Sequence, residues 1–153
     1  MDNLDLGEYR ITFDREATRS ACAAMAAGGA EECRCAACKN FAAQKPVPYP
    51  PDFRALLDRL GIDPNREIEV YTHRSEDPSG IAYDGWFYFV GSVEPDESTL
   101  PRSGPYPNAF EFYFIHGPAY EVAQFKNGPV SRVEFMNLRL PWANGFSPST
   151  PPG

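Results

Sequence analysis

Apolar side chains recur along this chain with two periods, and each period predicts one kind of element. From Glu8 to Phe13, Tyr9, Ile11 and Phe13 alternate with polar neighbours, which is the pattern of a half-buried strand. Asp14 then offers a helix N-cap. The alanine-rich stretch Arg15 to Ala27 puts Ala17, Ala21, Ala24 and Met25 on one helical face, and Gly28-Gly29 gives it a stop. A second helix is predicted over Cys35 to Gln44, ahead of Pro46. The clearest helix carries Phe53, Leu56, Leu57 and Leu60 at i, i+3, i+4 and i+7. Pro50-Pro51 and Asp52 mark its start, and Gly61 followed by Ile62 fits a Schellman stop.

From Glu67 onward the period is two. Ile68, Val70 and Thr72 oppose Glu69, Tyr71 and His73, and Gly80 leads into a run from Ile81 to Val93. Within it, Trp86-Phe-Tyr-Phe-Val90 is apolar on both faces and reads as a central strand. Asn108 to Ile115 and Pro129 to Leu138 supply two more. The expected fold is α+β: a mostly antiparallel five-stranded sheet with about three helices packed on one face, its last four strands forming a meander. Residues 1–146 make a single globular domain, and the Pro-rich tail 147–153 is expected to be disordered. The segment from Glu94 to Pro107 holds four prolines and reads as a long loop.

Composition narrows the function classes. At 153 residues the chain fits one domain, 14% aromatic residues predict an aromatic core, and 16 prolines predict stiff loops. The net charge of −7 argues against nucleic acid, because that binding draws on clustered Lys and Arg. The N-terminus lacks the basic start and apolar run of a signal peptide, and no apolar run is long enough to span a bilayer. The expectation is a cytoplasmic protein that touches no membrane.

In a reducing compartment, Cys22, Cys33, Cys35 and Cys38 are thiols, metal ligands or redox centres rather than disulfides. Cys-x-x-Cys at a helix start can present two thiolates to zinc or support thiol exchange, and the helix terminus lowers a thiol pKa. Structural zinc sites, however, usually assemble two ligand pairs, and beyond Cys33 and Cys22 only His73 and His116 are on offer. The plainer expectation is that Cys35 and Cys38 share a helical face with Phe41, reduced and buried in the core, with no cofactor. Zinc is the alternative.

The two histidines lack any catalytic motif, and both read as sheet-surface residues. Tyr71 and His73 face away from Ile68 and Val70. Together with Glu111, Tyr113, Arg132 and Glu134 they mark a sheet face available to a partner; Arg132 and Glu134 also suit an ion pair there.

The segments Cys35-Ala-Ala-Cys-Lys-Asn-Phe41, Leu60-Gly-Ile-Asp-Pro64, Gly85-Trp-Phe-Tyr-Phe-Val-Gly91 and Pro129-Val-Ser-Arg-Val-Glu-Phe135, with Leu140-Pro-Trp142, resemble a family of small, functionally uncharacterised bacterial proteins. The resemblance implies a bacterial origin and one compact domain from Glu8 to Trp142, and it assigns no catalytic residue. The leading expectation is therefore a non-catalytic module that binds a protein or small ligand. An isologous homodimer is one way to cover the second face of the Trp86–Val90 strand. The alternative is a zinc or thiol-redox protein built on Cys33, Cys35 and Cys38.

Overall fold

The structure is a computed structural model that describes residues 1–73, 80–95, 109–143 and 145–148. It is α+β, with a six-stranded antiparallel sheet. The chain begins with a hairpin, β1 (Asp2–Leu6) and β2 (Tyr9–Phe13), turned at Gly7 with φ 60°. Strand β1 falls outside the expectation. Its only apolar residues are Leu4 and Leu6, which pack partly buried against the core.

Asp14 caps α1 (Arg15–Ala24) by accepting from the Ala17 N–H at 2.9 Å. The helix stops three residues before the expected end: the Met25 N–H closes on the Cys22 carbonyl, and the Arg66 guanidinium donates to the Met25 carbonyl. Gly28 and Gly29 have a different role. A Cβ on Gly28 would meet the Glu67 carboxylate at 2.1 Å, and one on Gly29 would meet the Ile68 carbonyl at 2.3 Å. They allow a one-turn helix, α2 (Gly29–Glu32), to lie against the chain entering the sheet. Helices α3 (Ala36–Ala43) and α4 (Pro51–Leu60) follow. At the end of α4, Gly61 takes φ 84° and the Ile62 N–H reaches the Leu57 carbonyl, which is the Schellman stop the sequence predicts.

The fifteen-residue β4 (Gly80–Glu94) is the axis of the sheet. One edge pairs with β3 (Glu69–His73) and, further along, with β2; the other pairs with β6 (Val130–Pro141) from end to end. The short β5 (Glu111–Ile115) lies outside β6, giving the order β1-β2-β4-β6-β5 with β3 beside β4. The expected meander thus fails at one step, since β6 lies between β4 and β5. Length explains it: β6, with twelve residues, can match β4 from Gly80 to Val90, whereas β5 offers five.

Helices α3 and α4 meet the expectation of one covered face. Phe41, Phe53, Leu57 and Leu60 join Phe87, Phe89, Phe114, Val133 and Phe135 in the main core. Helix α1 lies on the other side, where Ala21 and Cys22 pack with Ile68, Tyr88, Val90 and Phe125. The second face of the apolar strand is therefore covered within the chain at that end, without a second copy. Most of the proline-rich segment (96–108) and of the tail (149–153) lies outside the described residues. No helix among the described residues is long and apolar enough to cross a membrane.

Leu57 is fully buried at the centre of the α4 stripe. Leu57→Ala is expected to lower unfolding free energy by about 2–5 kcal/mol, measured by urea denaturation, because the deletion leaves a cavity. A change below about 0.5 kcal/mol would place α4 at the periphery.

Candidate metal centre

The Cys-x-x-Cys segment sits where α3 begins. Cys35 is the N-cap residue, with extended backbone, and its sulfur accepts from the Cys38 N–H at 3.4 Å. The chain bends at Cys35, and the Cys33 sulfur lies 3.4 Å from that of Cys35. The sulfurs of Cys33, Cys35 and Cys38 all lie within 4.8 Å of one another, the first two exposed and the third buried. Expectation and structure part at Cys35, which is exposed rather than packed with Phe41. As a helix cap its sulfur is held over the exposed first turn, while Cys38, one turn on, is buried in the main core with Phe41.

The three thiols are held from two directions. On the α3 side, Asn40 and Phe41 anchor the helix. The Asn40 amide donates to the Pro141 carbonyl at 3.0 Å and to the Tyr83 hydroxyl, and its oxygen accepts from the Ala143 N–H at 2.8 Å. Phe41 packs on the Tyr83 ring at 5.2 Å, and the Tyr83 hydroxyl donates to the Ala37 carbonyl. The Asn-Phe of the segment thus fixes the helix that carries the cysteines. On the Cys33 side, α2 is tied down by Glu67, whose main-chain carbonyl accepts from Gly29 at 2.7 Å and whose carboxylate accepts from Ala30. Lys45, 11% exposed, bridges the fully buried Glu67 carboxylate at 3.0 Å and the Glu31 carboxylate at 2.7 Å. Neither Lys45 nor Glu67 stands out in the sequence, because their meeting depends on the tertiary fold.

The surroundings set the thiols apart. Burial works against charge on Cys35, yet the Cys38 N–H and the sulfurs of Cys33 and Cys38 outweigh it and lower its pKa. Burial, and after it the neighbouring thiols, raise that of Cys38. Three thiols this close repel once ionised, and a bound cation relieves that repulsion. Sulfurs about 2.3 Å from a tetrahedral ion stand about 3.8 Å apart, so the observed spacing suits a zinc-sized ion. Cys22 does not join them: it is buried in the second core cluster, and burial raises its pKa.

The sheet-face residues come together in part. Through the β3, β4 and β6 registers, Tyr71, Trp86, Arg132 and Glu134 share a face, and Tyr113 lies opposite Glu134. The Arg132 guanidinium stacks 5.9 Å from the Trp86 ring and reaches Glu134 at 3.4 Å, while the Tyr113 hydroxyl donates to the other Glu134 oxygen. Tyr120, which no sequence pattern marks, lies 6.2 Å from Trp86 and donates to Glu69 at 2.7 Å. Glu111 is exposed opposite Met136, and His73 occupies the last position of β3 opposite Ala82. His116 is exposed beyond β5 and accepts from the Val93 N–H. The chain matches no family model, no curated protein and no solved structure, so a functional reading starts from this geometry.

Proposed function

We propose that this is a metal-binding protein whose centre is the three-thiolate set Cys33, Cys35 and Cys38, taking a thiophilic divalent ion of the zinc class. The observation that carries it is the convergence of three sulfurs within 4.8 Å on a chain turn fastened from both ends. Thiol exchange needs two sulfurs; the third is what a metal uses. Three protein ligands leave one coordination position open, the pattern of reactive rather than purely structural zinc sites. A reducing compartment such as the cytoplasm keeps the thiols available as ligands.

Protein purified under reducing conditions is expected to hold close to one equivalent of zinc. Cys33→Ser and Cys38→Ser should each weaken binding by more than the roughly 10–100-fold typical of an outer-shell partner, with Cys22→Ser close to wild type. Metal analysis checks the first statement and competition with a chromogenic chelator the second. Reduced protein that takes up no zinc on reconstitution would remove the reading.

A second reading, a recognition surface for a protein or small ligand, is favoured by the aromatic row Tyr71, Trp86 and Tyr120, in which Tyr71 and Tyr120 are 43% and 44% exposed. Metal content separates the two readings, because the row contributes no ligand to the cysteine cluster.

A further inference from the structure

We infer that Cys33 and Cys35 are an oxidation site: hydrogen peroxide joins them in a reversible disulfide, and the new bond expels the metal, a second step that rests on the metal reading above. The two thiols are free, their sulfurs lie 3.4 Å apart, and only Arg34 separates them in the chain. A disulfide brings its sulfurs to about 2.05 Å, so closure takes a short approach of two side chains. Cys33 is the C-cap of α2 and Cys35 the N-cap of α3, each with extended backbone, so both sit at helix ends rather than inside a helix. Access selects the same pair as spacing. Cys33 and Cys35 are exposed, whereas Cys38 and Cys22 are 5% and 3% exposed, and thiol oxidation follows exposure.

Zinc has no redox chemistry of its own, so an oxidant at such a centre acts on the ligand sulfurs. One thiolate attacks the peroxide: an S–O bond forms, the O–O bond breaks, and the departing hydroxide takes a proton to become water. The second thiolate attacks the sulfenic sulfur, forming the S–S bond and displacing hydroxide, which leaves as a second water. Two electrons thus pass from the two sulfurs to one peroxide. The two protons come from the thiols, or from solvent when the thiolates hold a metal. A disulfide offers no thiolate, so the centre falls from three ligands to Cys38 alone; the ion leaves, and Cys38 takes up a proton from water. The bridge encloses a single residue and lies at the surface, so it constrains little of the unfolded chain and stays open to a reducing dithiol.

The test treats reduced, zinc-free, full-length protein with equimolar hydrogen peroxide, alkylates the remaining thiols in denaturant, and maps the tryptic peptides by mass spectrometry. Trypsin cuts after Arg34, so Cys33 leaves with Cys22 in peptide 20–34 and Cys35 leaves with Cys38 in peptide 35–39. The expected product joins these two peptides, with alkyl groups on Cys22 and Cys38. It should persist in Cys22→Ser and in Cys38→Ser, and be absent from Cys33→Ser. Zinc at ten times its Kd should slow its formation about tenfold, because only the free thiols react. The bridged protein should take up no zinc until dithiothreitol restores the thiols. A bridge confined to peptide 35–39, or oxidation to sulfinic acid without a bridge, would overturn the inference and leave the metal reading intact. So would unchanged zinc uptake after bridging, or a rate of bridging that zinc does not alter in protein that binds it. Reduced protein that takes up no zinc would overturn the metal reading and the expulsion step together.

Discussion

Lys45→Met is expected to destabilise the fold by about 3–5 kcal/mol near neutral pH, because it leaves the Glu67 carboxyl buried without its cation, to be either held ionised or protonated above its ordinary pKa. Glu67 is fully buried, and beyond Lys45 its carboxylate has the Ala30 N–H as a donor. Burial already raises its pKa above 4.5, with Lys45 opposing the rise. Tyr49, itself buried, has a pKa pushed up chiefly by burial and further by the Glu67 charge. Removing Lys45 takes away the main opposing influence, so the folded-state pKa climbs further. The sign follows from linkage: a carboxyl whose pKa is raised by folding contributes stability that is present below its unfolded value and lost as pH rises through the folded value. The deficit of Lys45→Met relative to wild type should therefore shrink as pH falls from neutral toward about 4.5. Urea denaturation across that interval measures it. A deficit independent of pH would mean that the lysine acts through packing of its methylenes and not through its charge. Because Glu67 also fastens α2, the same variant should weaken metal binding through Cys33 more than through Cys38.

Much of this frame is written in local sequence patterns, and the parts that are not have a common physical character. The stripe of α4 and its glycine stop, the N-cap at Asp14, and the two-sided apolar strand from Trp86 to Val90 are set by neighbours within one or two turns, or by alternation along a strand, and each appears where its pattern places it. Strand β1 escapes because Asp2, Asn3 and Asp5 mask two leucines. The end of α1 is misplaced because a glycine pair signals a stop equally well whether it caps a helix or admits a close neighbour, and only the Glu67 side chain, far along the chain, shows which. The same holds for the candidate centre. The spacing of Cys35 and Cys38 presents two thiols on a helix start, but bringing Cys33 to 3.4 Å depends on α2 being tied to Glu67 across 37 residues and on Lys45 meeting Glu67 across 22. Contacts at such separations leave no periodic trace.

Phe53→Ala should be the most damaging single truncation in the main core, costing about 3–5 kcal/mol. The ring is fully buried, and its centroid lies 5.1 Å from Phe110, 5.2 Å from Phe112, 5.4 Å from Tyr49, 6.1 Å from Phe135 and 6.2 Å from Phe87. One side chain of α4 thus touches the central strand, its partner β6 and the outer strand β5. Its removal loses the transfer energy of the ring, leaves a cavity between layers, and forfeits two edge-on and three tilted ring contacts, of a kind worth about 0.5–1.5 kcal/mol each beyond their area. Phe53→Leu retains most of the volume and should cost about 1–2 kcal/mol, less than half as much. Guanidinium denaturation of the two variants, with an unchanged denaturant slope, provides the comparison. The cysteine turn is fixed through Asn40, Phe41 and Glu67, none of which is among the ring partners of Phe53, so the folded fraction of Phe53→Ala should bind zinc with wild-type affinity. Equal losses for the two variants would mean that the site tolerates a smaller side chain by collapsing and that the aromatic contacts add little. A fall in zinc affinity that follows the fall in stability would mean that the metal turn and the main core unfold as one unit.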